Sequence, residues 1–231
     1  MIDFVEISKK KLNVKPFSWA EIGNLYSPAN ATALASSFPC DNFKTIEAYG
    51  GEKSYCYEAR ALIGMGANSV ANPEQLSDAW LELANDLLSD TYRKVMSTLT
   101  GLDLGNRQME VNVFHYGPGA HLGPHRDLPE KIATHVCYFN NEWKLEDGGC
   151  LAILNSSDPT DVAAQVLPIV GNSAAFIRSE HSWHEVTRVR HGCKQSRRSM
   201  TVTFYPTSSI SSMWPPGEAA QLHDYGGSAG G

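Results

Sequence analysis

Two stretches at the ends of the 108–205 region alternate apolar and polar residues with a period of two. In the first, Met109, Val111 and Val113 share one face, and Glu110, Asn112, Phe114 and Tyr116 share the other. In the second, Met200, Val202 and Phe204 oppose Arg197, Ser199, Thr201 and Thr203. Period two marks a strand, whose side chains project alternately to its two faces. The apolar face is expected to be buried under a covering layer of helices. The polar face is then tolerated only where it meets water or lines a site. Two such strands predict a barrel with a hydrophilic pocket inside.

Between them lie shorter apolar runs at 131–140, 150–154, 166–170, 174–178 and 184–189, separated by turn residues such as Gly117-Pro118-Gly119 and Gly148-Gly149. Many short strands punctuated in this way predict a sandwich or barrel. The first hundred residues mix signals. Ser27 followed by Pro28 reads as a cap opening a helix that Pro39 stops. Residues 54–63 read as a strand. Asn72, Pro73 and Gln75 read as a capping box, followed by Leu76, Trp80, Leu83, Leu87, Val95 and Leu99 at near-helical spacing and by Gly101 as a closing cap. One long helix against the outside of the sheet is predicted there. The fold class is therefore mainly β with flanking helices (α+β). Residues 1–107 are read as a helix and strand extension packing on the barrel, 108–207 as the core and 208–231 as a tail whose Gly-rich end is disordered, all in one domain.

A chain of 231 residues, 42% hydrophobic and 19% charged, can bury a full core without disulfides. Its net charge of −6 argues against a nucleic-acid partner, since phosphate binding needs clustered Lys and Arg. The five cysteines are scattered, odd in number and free of Cys-x-x-Cys pairs, so neither a disulfide framework nor a zinc ribbon is indicated. No apolar run suits a membrane span and the N-terminus does not read as a signal peptide, so a cytoplasmic location is expected.

The chemistry-bearing stretch is His121-Leu122-Gly123-Pro124-His125-Arg126-Asp127. On an extended strand His125 and Asp127 project to the same face. A second histidine from a distant segment would complete two imidazoles and one carboxylate, the open ligand set of non-haem Fe(II) oxygenases. His181 and His184 both qualify. His184 is favoured because it starts a strand, which fixes the direction of its ring. His-x-Asp alone is a weak signal, since surface residues at a strand edge have the same spacing. Arg197 and Ser199 share the polar face of the last strand. A guanidinium in such a pocket calls for a carboxylate, which its fork fits bidentately, with Ser199 adding a hydroxyl. Arg198, on the other face, is read as a surface charge.

His125-x-Asp127, His184-Glu185-Val186 and Arg197-x-Ser199, in that order, resemble the iron(II)- and 2-oxoglutarate-dependent dioxygenases. Residues 109–205 are most similar to the prolyl-hydroxylase-like branch, with Tyr116-Gly117-Pro118-Gly119, Tyr138-Phe139-Asn140, Trp143 and Gly148-Gly149-Cys150-Leu151 as supporting pieces. The resemblance implies a double-stranded β-helix, or jelly roll, with Fe(II) as metal and 2-oxoglutarate and dioxygen as cosubstrates. It implies His125, Asp127 and His184 as metal ligands and catalytic centre. It also implies Arg197 on the distal carboxylate of 2-oxoglutarate, with Ser199, Tyr116 and Tyr138 beside it and Leu151 and Ile153 as an apolar wall. The implied activity is oxidation of an unactivated C–H bond with release of succinate and carbon dioxide. Asp127 disfavours halogenation, which in this family goes with a small residue at that position.

A cupin-like, non-oxidative metal protein using His121 with His125 is the competing reading, and Arg197-x-Ser199 counts against it. A binding module with structural histidines is another. For substrate, a small molecule such as an amino acid or natural-product intermediate is favoured over a protein or peptide in a prolyl or other peptidyl hydroxylation. Arg126, Lys131, Leu151 and Trp183 are candidate substrate contacts. His121 is read as a loop residue near the entrance.

Overall fold

The structure, a computed structural model, describes residues 1–48 and 55–214. Eleven strands form one antiparallel sheet: β1 (Trp19–Ile22), β2 (Lys44–Ala48), β3 (Tyr55–Ile63), β4 (Gln108–Tyr116), β5 (His121–His125), β6 (Ala133–Tyr138), β7 (Leu151–Leu154), β8 (Val162–Val166), β9 (Ser173–Ile177), β10 (His184–Val186) and β11 (Arg197–Tyr205). Their order is β1-β9-β6-β11-β4-β3-β5-β10-β7-β8, with β2 on β3. The sheet curls into a nearly closed barrel, so that β4, β6 and β11 face β5, β7 and β10 across one cavity.

The alternation of β4 and β11 has the predicted outcome. Met109, Val111, Val113, Met200, Val202 and Phe204 are all fully buried in one core with Trp80, Leu83, Leu87, Tyr92 and Met96 of the covering helices. Each such side chain contributes roughly 1.5–3 kcal/mol. The opposite faces of the two strands line the cavity.

The covering layer is not one helix. Asn72 takes a left-handed conformation (φ 47°) with no side-chain cap and precedes only a short 3-10 turn at Pro73–Gln75. Ser77 caps α3 (Asp78–Leu88), and Ser89 ends it and caps α4 (Asp90–Thr100), accepting from the Tyr92 amide at 3.2 Å. Ser89 is extended (φ −72°, ψ 149°), which breaks the helix, while both halves still present apolar residues to the same sheet face. That shared face kept the period intact across the break. Gly101 closes α4 with φ 72°, as predicted. Two smaller helices precede these, α1 (Phe4–Ser8) and α2 (Pro28–Ser36), the latter capped by Ser27.

The strand expected at 166–170 lies at β8 instead. Pro168 cannot donate to a ladder, and β8 is an exposed edge strand with little apolar signal. Strands β1 and β2 and helix α1 were not foreseen. The N-terminal extension does more than pack on the barrel, because β3 hydrogen-bonds to β4 on one side and β5 on the other. The Gly-rich end of the expected tail lies outside the described residues. All five cysteines are unpaired, and among the described residues no helix is long and apolar enough to cross a membrane.

Candidate active site

His125 is the last residue of β5 and pairs in register with His184, the first residue of β10, so their rings stand 4.3 Å apart between centroids. Asp127 lies past the end of β5, so it shares no strand face with His125. The turn after the strand carries it to the same point. Thr134 Oγ1 on β6 donates to Asp127 Oδ2 at 2.9 Å, and Arg178 Nε donates to its carbonyl at 3.4 Å. His125, Asp127 and His184 are all buried, and their ligand atoms lie within 4.8 Å of one another.

Local hydrogen bonds orient both rings. His125 Nδ1 donates to the Gly123 carbonyl and His184 Nδ1 to the Ser182 carbonyl, each at 2.9 Å. This tautomer leaves the lone pair on Nε2, the form that binds a metal. The fully buried Ser182 ties the preceding turn by donating to the Ser179 carbonyl at 2.8 Å and accepting from its amide at 2.9 Å. His181 sits exposed on that turn and is not one of the three. Burial opposes ionisation of Asp127. The Lys131 ammonium, 2.7 Å from Oδ1, and the two imidazoles outweigh it and hold the carboxyl below its ordinary range. Two imidazoles and one ionised carboxylate on one side of a site fit Fe(II).

These groups open into a cavity of about 380 Å³. Arg197, at the start of β11, is 1% exposed and among the described residues makes no salt bridge. Its Nη1 donates to Ser199 Oγ at 2.6 Å, its Nε has no partner, and its Cζ stands 4.8 Å from the Tyr116 ring and 5.3 Å from the Tyr138 ring. Burial raises the Tyr116 hydroxyl to about 12 against the opposing charge of Arg197. Tyr138 is fully buried, and its hydroxyl also lacks a partner. A buried cation beside an orphaned N–H, an orphaned hydroxyl and a serine is a donor set for a carboxylate, so these residues fit 2-oxoglutarate. Tyr116 lines the cavity directly; Tyr138 stands behind it, packed with Leu151 and Ile153.

Of the candidate substrate contacts, Lys131 and Leu151 line the cavity. Arg126 and Trp183 do not. Arg126 is exposed, pairs with Glu180 at 2.5 Å and lies 4.8 Å from the Trp183 ring. Arg198 is no loose surface charge: half-buried, it covers the Phe38 ring and donates to the Ala35 carbonyl at 3.3 Å. His121 is a buried residue of β5, not a loop residue, with Nε2 3.2 Å from the Arg188 guanidinium. Cavity residues that the sequence reading passed over are Tyr55 and Tyr57 of β3, Thr134 of β6, Phe176 of β9 and Tyr205 of β11. Glu110, Asn112 and Thr203 had been assigned to a pocket face without a role.

Residues 111–205 match the family model described as the 2OG-Fe(II) oxygenase superfamily. No curated protein matches the sequence. Among solved structures the chain is similar to a prolyl-4-hydroxylase from Pseudomonas putida, with 23% identity, TM-score 0.56, and 81% of this chain and 92% of that one covered. It is also similar to a prolyl hydroxylase from Trichoplax adhaerens in complex with a hypoxia inducible factor peptide fragment (20% identity, TM-score 0.53, 81% and 83% covered). A third is the non-heme alpha ketoglutarate dependent epimerase SnoN from nogalamycin biosynthesis (12% identity, TM-score 0.51, 81% and 78% covered). The barrel is thus the jelly roll of these oxygenases. Over residues 111–205 the chain is thus similar to the 2OG-Fe(II) oxygenase superfamily, oxidoreductases that use Fe(II), 2-oxoglutarate and dioxygen.

Proposed function

We propose that this protein hydroxylates, or otherwise oxidises, an unactivated C–H bond of a small molecule such as an amino acid or a natural-product intermediate. His125, Asp127 and His184 hold the iron. Arg197 and Ser199 take the distal carboxylate of 2-oxoglutarate, with the Tyr116 and Tyr138 hydroxyls beside it. When bound, iron and 2-oxoglutarate supply the oxidation, in which dioxygen is consumed and succinate and carbon dioxide are released. The protein's residues orient the ligands, neutralise the cosubstrate's charge and exclude water.

The observation that carries this reading is that a buried guanidinium without a carboxylate shares one cavity with two histidines and an aspartate. Size supports a small substrate. About 380 Å³ lies near the lower end of ligand pockets, which span roughly 300–1,000 Å³, and the cosubstrate takes part of it. Hydroxylation of a peptide is the second reading, favoured by the prolyl hydroxylases from Pseudomonas putida and Trichoplax adhaerens among the similar structures. Five unpaired cysteines support a reducing compartment, the cytoplasm, as the place of action.

The test is anaerobic addition of Fe(II) and 2-oxoglutarate, followed by succinate release across free amino acids and small peptides. A visible charge-transfer band is expected on mixing; its absence sinks the cosubstrate assignment. Succinate release stimulated by peptides and by no small molecule would select the second reading.

A further inference from the structure

The cavity has a second buried charge that the metal and cosubstrate do not use. Glu110 of β4 is 2% exposed and lines the cavity wall. It pairs across the ladder with Thr203 of β11, which pairs in turn with Thr134, the residue that holds Asp127. Glu110 therefore lies toward the end of the cavity wall where Thr134 holds Asp127, and Arg197, which pairs with Tyr116 six residues further along β4, lies toward the other end.

The carboxylate is held but not satisfied. Asn112 Nδ2 donates to its Oε2 at 3.2 Å, while the Asn112 amide oxygen accepts from Trp214 Nε1 at 2.6 Å. This chain of contacts fixes the direction of the Glu110 side chain. Its Oε1 has no partner in good hydrogen-bond geometry, the Ser211 and Tyr205 hydroxyls being its polar neighbours, and among the described residues Glu110 makes no salt bridge. The nearby cation, Lys131, is engaged by Asp127. Burial pushes the Glu110 carboxyl above its ordinary range, and hydrogen bonding by Ser211, Asn112 and Tyr205 together with the charge of Lys131 offsets this only in part. A buried carboxylate in this condition gains most from a ligand that brings its own positive charge and N–H donors. The two ends of the cavity then select opposite charges.

We propose that Glu110 binds a protonated nitrogen of the substrate, so that the substrate is an amine and not an N-acylated residue of a peptide. This rests on the oxygenase reading above and names the substrate class of the same site.

The experiment uses the full chain loaded anaerobically with Fe(II) and 2-oxoglutarate. The charge-transfer band is recorded first. Free L-amino acids and their N-acetyl derivatives are then titrated, with perturbation of the band as the binding readout. At least one free amine is expected to perturb the band, with its N-acetyl form about 10- to 100-fold weaker, the worth of one charge-assisted contact. Glu110→Gln is expected to weaken the amine by a similar factor and to erase its advantage over the N-acetyl form. A retained band shows that this variant is folded; Glu110→Asp, which keeps the charge, is expected to keep the preference. Absence of the band in the wild type sinks the oxygenase reading and this proposal with it. A band that forms but responds to no free amine, or equally to both forms, overturns this proposal alone. So does an unchanged amine preference in Glu110→Gln.

Discussion

Replacing Arg197 with Met separates what this residue does for the fold from what it does for the cosubstrate. In the absence of ligand the guanidinium is a buried charge with one hydrogen bond, to Ser199, and one orphaned N–H. An unsatisfied buried donor costs about 1–3 kcal/mol, and contacts with the Tyr116 and Tyr138 rings return about 0.5–2 kcal/mol. Methionine keeps much of the volume and removes both terms. The ligand-free stability of Arg197→Met is therefore expected to lie within about 1 kcal/mol of the parent in urea denaturation. Binding of 2-oxoglutarate should respond very differently. Loss of one partner from a buried, hydrogen-bonded charge pair costs about 2–5 kcal/mol, which is about 30- to 5,000-fold in affinity. Calorimetric titration of 2-oxoglutarate with Mn(II) in place of Fe(II) measures this without turnover. If the variant loses more than about 3 kcal/mol of stability while its 2-oxoglutarate affinity falls less than about 5-fold, Arg197 is a structural cation and the cosubstrate assignment is wrong.

Three further outcomes follow from particular contacts. His184→Ala should lower Mn(II) affinity at least about 100-fold and His181→Ala less than about 2-fold, because only the former side chain is buried among the ligand atoms; the reverse order in a metal titration would transfer the role to His181. Gly148→Ala should destabilise by more than about 3 kcal/mol, since its φ is +68° and a Cβ there would clash with the Arg188 carbonyl oxygen; a loss below about 1 kcal/mol in urea would show that the turn can rearrange. Burial holds His135 at about 4 against the ordinary 6.5, so the folded state favours its neutral form: the stability it secures is whole above pH 6.5 and is lost, by about 3 kcal/mol, as pH falls through 4. His135→Leu should flatten the stability profile over that window, and an unchanged profile would assign the acid sensitivity elsewhere.

The parts of the site that were legible in the sequence are those fixed by strand period. Arg197 and Ser199 were placed on one face because a strand allows nothing else, and His184 was preferred to His181 because a strand orients a ring. Asp127 was reached by a partly wrong argument. Its strand ends at His125, and the carboxylate is positioned by Thr134 and Lys131, which no local pattern connects to it. The break at Ser89 was readable as a serine cap followed by Asp90, but an apolar stripe running unbroken across it favoured a single helix. Tyr55 and Tyr57 were out of reach for another reason. They enter the cavity only because β3 joins β4 to β5, and such long-range pairing leaves no mark on the periodicity of β3 itself.

The β4–β11 ladder carries both the stability and the chemistry of this protein, and its register keeps them apart. Val111 opposite Val202 and Met109 opposite Phe204 face the helices, whereas Glu110 opposite Thr203 and Tyr116 opposite Arg197 face the cavity. A slip of one residue would turn every site group toward the helices and every core group toward the cavity. The pairing is protected from this by being made twice, since β11 is bonded to β4 along its whole length and to β6 from Ser199 to Phe204. Irregularity is confined to other pairs: the β3–β4 register shifts between Ala61 and Ile63, the β5–β10 register between His184 and Val186, and the β7–β8 register between Ile153 and Leu154. The charged ends of the cavity, Arg197 and Glu110, therefore sit on a wall paired without a register shift. The histidines proposed to bind metal sit on short strands, where their rings are set by the carbonyls of Gly123 within β5 and of Ser182 in the turn before β10. Substitutions around those two carbonyls should disturb metal affinity before they disturb the fold, and substitutions on the helix side of the β4–β11 ladder should do the opposite.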